Sequence, residues 1–358
     1  IVGGGNTSTT TGGGDWIDYS DLSSTNITID LAAGTASDTN ISDTISLIEH
    51  IKMGDGDDYV QGDVYDNSLL GGGGIDTLDV SRASSSVTIS LTNNNGTTTG
   101  GGIGTDTFES FESFVGSSYA DTLTTAAVDN ITFNGAGNTD KIDYTTLSTA
   151  VTVTINGTSA ITVNDGTNTD TLTNVEHIVS GSGNDTFTYT GSTNVKILDA
   201  GAGSDTLSLS GTVDLSGVTL LNFETILVAD GQTATINATD LSGKTMSITM
   251  AGTGSLVIVS DSSSHDFSNI TVSKGTGTVT LDVNIDKNIS TSTINNIIDK
   301  FDVASGSTLT LSNSQFGTHS GINTGTLKLS DTTLTGTQIK TINDNSTNAI
   351  DLTNVTTI

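Results

Sequence analysis

Gly71-Gly72-Gly73-Gly74-Ile75-Asp76-Thr77-Leu78-Asp79 is the stretch on which the fold turns. Glycines let the backbone take positive φ and point carbonyls inward. An Asp follows the last glycine by two residues, and Leu78 follows the Asp by two, so a tight turn runs into a very short strand with one inward side chain. That unit is nine residues long. The same step separates Asp58, Asn67 and Asp76. Two such units make one coil of a parallel β-roll, so residues eighteen apart stack. Asp58 and Asp76 are then expected on one edge, one coil apart.

Working outward, a second period of about 63 residues appears. The Gly-Asp turn recurs at Asp15, Asp76, Asp140 and Asp205, in steps of 61, 64 and 65. Each is followed by an alternating strand: Ile17-Asp18-Tyr19-Ser20, Leu78-Asp79-Val80-Ser81, Ile142-Asp143-Tyr144-Thr145 and Leu207-Ser208-Leu209-Ser210. The predicted partners of the first three are Ile27 to Leu31, Val87 to Leu91 and Val151 to Ile155, with a weaker fourth at Val213 to Leu215. Each repeat then carries an apolar-Glu-x-apolar tetrad holding Glu49, Glu112, Glu176 or Glu224. Recurrence in a structural frame assigns these glutamates to capping or turn pairing, not to catalysis.

Gly54-Asp55-Gly56-Asp57-Asp58, Gly102-Ile103-Gly104-Thr105-Asp106, Gly181-Ser182-Gly183-Asn184-Asp185 and Gly201-Ala202-Gly203-Ser204-Asp205 share the core of the opening stretch. This is a hard-oxygen donor set. Ca²⁺ takes six to eight oxygens and accepts carboxylates and carbonyls together. Candidate ligands are Gly54, Asp55, Gly56, Asp57, Asp58, Gly72, Gly74, Asp76, Gly102, Gly104 and Asp106, followed by Asp121, Asp140, Gly181, Gly183, Asp185, Gly201, Gly203 and Asp205. Asp185 and Asp205 are expected to pair as Asp58 and Asp76 do. The Asp140 frame carries one extra residue, and Asn67, Asn130 and Asn194 stand where Asp would.

With its G-G-x-G-x-D-x-U-x frame in several copies over about residues 12 to 210, the chain resembles the RTX (haemolysin-type) calcium-binding repeat proteins. The resemblance implies export by a type I route, an unfolded state in the low-calcium cytosol, and folding outside the cell on binding calcium.

Composition points the same way. Only 33% of the 358 residues are apolar and 4% aromatic, too few for one compact core. With a formal charge of -30, such a chain would be disordered were it not for its alternating Thr, Val and Ile runs and its regular acidic frames. Forty acidic against 10 basic residues repel nucleic acid and attract divalent cations. Cysteine and proline are absent, so there is neither a disulfide nor a thiolate site. No apolar run is long enough for a transmembrane segment. His50, His177, His265 and His319 are isolated, and no Gly-x-Ser-x-Gly elbow occurs, so an enzyme is not expected.

Beyond about residue 210 the Gly-Asp frames fade. Strands centred near Ile226, Ile236, Ile248, Ile258, Ile270 and Leu281 predict coils of about 22 residues. Residues 285 to 358 could alternatively form a β-sandwich, and Ser292 to Phe301 shows helical spacing. The expectation is an all-β chain: a parallel β-roll or β-solenoid with calcium-binding turns over 1–210, continuing into a second, calcium-poor β-solenoid or β-rich assembly region over 211–358. Calcium is the expected cofactor. Open solenoid ends favour self-association into a lattice or filament. The function expected is an extracellular, calcium-dependent structural protein at a bacterial cell surface, such as a surface-layer (S-layer) subunit. An RTX adhesin segment and the carrier region of a secreted hydrolase or toxin are the alternatives.

Overall fold

The computed structural model describes residues 14–40, 42–157, 160–191, 194–260, 265–283, 287–288, 297–312, 326–346 and 350–357. They form two compact units, Ile1–Asp185 with Thr193–Gly203, and Thr186–Ser192 with Ser204–Ile358. Both are mostly β, with long parallel sheets of many short strands.

In the first unit most strands are three residues long and bury their middle side chain, as in Trp16–Asp18, His50–Lys52, Tyr59–Gln61 and Ser68–Leu70. A turn every nine residues leaves no room for more. Ile17, Ile51, Val60, Leu69, Leu78, Leu123 and Ile142 form a narrow core, each at most 4% exposed. His50–Lys52 pairs in parallel with Ser68–Leu70, and Tyr59–Gln61 with Thr77–Asp79, both at the predicted offset of eighteen. Ser113–Val115 pairs with Thr132–Asn134, and Thr122–Thr124 with Lys141–Asp143, both at nineteen, so the extra residue of that repeat falls between Thr122 and Thr132, ahead of the Asp140 frame to which the sequence assigned it.

The roll is not purely parallel. Val87–Thr92, Asn95–Gly100 and Thr105–Glu109 form an antiparallel triplet set into one sheet. Its outer members pair in parallel with Thr122–Thr125 and Ser68–Leu70. Triplets also occur at Thr28–Asp30, Thr35–Ser37 and Ser42–Thr44, and at Thr152–Asn156, Ala160–Asn164 and Thr169–Thr173, both in the opposite sheet. The predicted strand pairing within a repeat is therefore corrected. Thr77–Asp79 and Val87–Thr92 lie in different sheets, because a nine-residue step carries the chain across the core.

Each of the first three repeats makes five passes between the sheets, one of them tripled. In the first repeat these passes hold Trp16–Asp18, the first triplet, His50–Lys52, Tyr59–Gln61 and Ser68–Leu70. Five is odd. The strands after Asp15 and Asp140 accordingly lie in one sheet, and the strand after Asp76 in the other.

In the second unit, Thr206–Leu209, Thr225–Val228, Met246–Met250 and Ile270–Lys274 stack in parallel, facing a sheet of Val213–Asp214, Thr233–Asn237, Ser255–Ser260, Val279–Val283 and Lys300–Val303. Thr225 pairs with Ser247 and Thr233 with Ser255, both 22 apart. Thr308–Leu311, Thr326–Leu329 and Ile350–Asp351 also pair in parallel, as a continued solenoid requires and an antiparallel sandwich does not. Residues 292 to 296 of the predicted helix lie outside the described residues, and Phe301, its last position, is in a strand. A helix does form at Gly336–Asn345. Its capping box joins Thr335 and Gln338, a Thr-x-x-Gln signature present in the sequence. Among the described residues no helix is long and apolar enough to cross a membrane.

Candidate calcium-binding ladder

Asp58 and Asp76 sit in turns that stack one coil apart, and their carboxylates point inward, 1% and 0% exposed. A short acidic side chain above the preceding turn meets an N–H of that turn, and a ladder results. The N–H of Ile27 donates to Asp58 Oδ1 at 2.7 Å. The N–H of Asp58 donates to Asp76 Oδ1 at 2.8 Å, and that of Asp76 to Glu112 Oε2 at 3.1 Å. A second ladder repeats the pattern: Val87 N–H to Asp121 Oδ1 at 2.7 Å, Asp121 N–H to Asp140 Oδ1 at 2.8 Å, and Asp140 N–H to Glu176 Oε2 at 2.9 Å. The first ladder precedes strands of one sheet and the second precedes strands of the other, so the two occupy opposite edges.

The glutamates of all four tetrads accept the N–H of a Gly-Asp turn, at Asp15, Asp76, Asp140 and Asp205. This is the turn pairing expected of them.

The glycines set the close approach. Gly72 and Gly74 have φ of +99° and +116°, and a Cβ there would lie 2.0 Å from the Gly54 carbonyl oxygen and 2.4 Å from that of Gly56. Successive turns are thus stacked through their carbonyls, with Gly73 N–H donating to Gly54 O at 2.9 Å. The Gly201 turn repeats this over Gly181, with Ala202 N–H on Gly181 O at 2.9 Å. Gly181 and Gly183 lie as tightly over Leu147 O and the Ala150 backbone.

Other glycines, outside the predicted set, cradle the carboxylates. A Cβ at Gly71 would stand 2.6 Å from Asp76 Oδ2, and one at Gly135 would stand 2.5 Å from Asp140 Oδ2. Gly116 holds the same place beside Asp121 Oδ2 at 2.8 Å. Each precedes its aspartate by five residues, a spacing readable in the sequence.

A divalent cation fits this donor set at some positions better than at others. Asp58, Asp76 and Asp140 each have a buried Oδ2 with no hydrogen-bond donor. Burial, with neighbouring carboxylates adding to it, pushes Asp76 and Asp140 up to about 7, and Asp58 is raised by the same causes. Such oxygens need a proton or a cation. Asp121 and Asp106 are different. Asp121 Oδ1 receives Ser117 Oγ–H as well as Val87 N–H, and its Oδ2 receives Ser117 N–H. Asp106, within the second triplet, takes Asn67 N–H on Oδ1 and the Thr98 hydroxyl on Oδ2. Asp43 and Asp170 stand at equivalent places, and there Tyr19 and Tyr144 give the hydroxyl. Val80 occupies the tyrosine position in the repeat where Thr98 takes over.

Asp55 and Asp57 are exposed at the turn tip, and Asp57 Oδ1 accepts Ile75 N–H at 2.8 Å. Gly102 and Gly104 turn with positive φ ahead of Asp106. Asp185 Oδ1 accepts Val151 N–H at 2.8 Å. Asp205 is buried in the second unit, so it and Asp185 belong to different units. Among the described residues no three of His, Cys, Asp and Glu converge, so an ion here would be completed by carbonyl oxygens. Compared with known proteins, the chain matches no family model and no curated relative.

Proposed function

We propose that this chain is an extracellular, calcium-dependent structural protein, a subunit or segment of a bacterial surface layer of the RTX kind. One observation carries the reading. Carboxylates at Asp58, Asp76 and Asp140 are buried beside stacked glycine turns, each with one oxygen left without a donor. Calcium at these turns would be held by the aspartates and by carbonyls of Gly54, Gly56, Gly72 and Gly74. It would supply the positive charge that the narrow core lacks. Metal-coupled folding then follows, because the acidic edges repel until an ion binds.

Circular dichroism and limited proteolysis, with calcium and with excess chelator, test the folding half. Loss of most β signal in chelator is expected, and full retention overturns it. Light scattering against calcium and, separately, sodium chloride tests assembly. Growth of large particles with calcium, more steeply than with monovalent salt, is expected. A monomer at millimolar calcium overturns the lattice reading.

A further inference from the structure

In the second unit a cavity of about 310 Å³ opens among Leu220, Phe223, Glu224, Asp240, Lys244 and Met246. Asp240 stands at its wall, 8% exposed, on the short helix Ala238–Leu241. Oδ1 accepts the N–H of Leu220 at 3.2 Å, the bond that ladder aspartates make, while Oδ2 is buried and has no hydrogen-bond donor. No glycine turn stacks here, for Gly243 has nothing within 4 Å of a Cβ position. Lys244 lines the same cavity and acts on Asp240 through its charge, yet no ion pair within 4 Å joins them. An acid with one oxygen lacking a donor, a base not paired with it and an apolar wall of Leu220, Phe223 and Met246 therefore border one space of ligand size.

We infer that this cavity binds a small zwitterion of the α-amino-acid class, its ammonium on Asp240, its carboxylate on Lys244 and its apolar side chain against Leu220, Phe223 and Met246. Charge decides among ligand classes. A bare cation gains from Asp240 but is repelled by Lys244 and leaves the apolar wall without contact. A neutral polyol gives Asp240 a hydrogen bond but no counter-charge. A zwitterion pairs with Asp240 and Lys244 at once, while Glu224, the third charged group of the wall, already accepts the Asp205 N–H at 2.8 Å, and a desolvated charge gains most from such pairing. Burial raises Asp240 to about 6 against the opposing pull of Lys244, so its carboxylate is ionised and ready for an ammonium at neutral pH and above.

The test uses the full chain in millimolar calcium, with L-leucine, glucose and additional calcium as separate probes in calorimetry and ligand-observed NMR. Saturable leucine binding is expected, weakened roughly thirtyfold or more in Asp240→Asn and in Lys244→Gln. Lys244 is half-exposed, so its variant keeps the test valid should Asp240→Asn fail to fold. Absence of leucine binding, variants that bind leucine as tightly as the unmodified chain, or glucose or calcium taking the site in preference to leucine each overturns the proposal. None of these results bears on the turns of the first unit, so the calcium reading stands or falls separately.

Discussion

The backbone N–H of Asp58 is bound by the carboxylate of Asp76, eighteen residues later and one coil above, at 2.8 Å. One side chain therefore does two jobs, closing the turn below it and burying its other oxygen, without a donor, beside Gly71. Asp76→Ala should cost the fold about 1–3 kcal/mol by leaving a buried N–H unpaired. It should also weaken calcium binding more than Asn130→Ala does. Asn130 holds only turn contacts, through Thr169 N–H and Asn168, and has no carboxylate to lose. Isothermal calorimetry on the two variants decides this, and equal affinities would sink the assignment.

Acidity should substitute in part for calcium. Asp76, Asp106 and Asp140 are raised to about 7 in the folded chain, from an ordinary value of 3.8. The folded state thus binds more protons than the unfolded state between about pH 4 and 7. Stability in chelator should be greatest near pH 4, fall as pH rises through 7, and level off above it. Circular dichroism in chelator at pH 5 and pH 7.5 checks the sign; more β signal at pH 7.5 than at pH 5 would contradict it.

Gly135→Ala should be far more harmful than Gly166→Ala. The first places a methyl group 2.3 Å from Asn174 O and 2.5 Å from Asp140 Oδ2, where overpacking costs about 1–3 kcal/mol or more. The second has open space and only a strained φ of +93°, worth about 1–2 kcal/mol. Denaturant midpoints rank the two, and a larger loss in Gly166→Ala would reject the cradle.

Tyr144→Phe should destabilise by about 1–3 kcal/mol although it removes a single atom, because Asp170 Oδ2 then loses its donor inside the core. Asp170 is fully buried and raised to about 6 even with that bond in place. Pairing the change with Asp170→Asn in a double-mutant cycle isolates the contact, and a coupling energy near zero would dismiss it.

Much of this was legible in the spacing alone. The eighteen-residue stacking of Asp58 under Asp76, and the glutamate tetrads as turn partners, follow from a period that a coil imposes on every residue in it. The triplets were not, because alternation in Val87 to Leu91 reports which face is buried and not which strand lies alongside. A local signal was present. Asn93 and Asn94, both with positive φ, form the two-residue turn that reverses the chain ahead of Asn95-Gly96. Asp106 illustrates the other limit. Its Gly-x-Gly-x-Asp frame reads like the rest, but Thr98, eight residues earlier, reaches its second oxygen only because the triplet folds back. Asp240 lacks any frame and was invisible until a cavity formed beside it.

Five passes per repeat carry a consequence for how such an array can change length. Adding or deleting one repeat of about 63 residues would turn every downstream residue over to the opposite edge, exchanging the faces seen by any neighbour. Only an even number of repeats restores them. The smallest interchangeable module is thus a pair, spanning 125 residues from Asp15 to Asp140 (140 minus 15). Parity, more than length, governs which insertions a partner would tolerate.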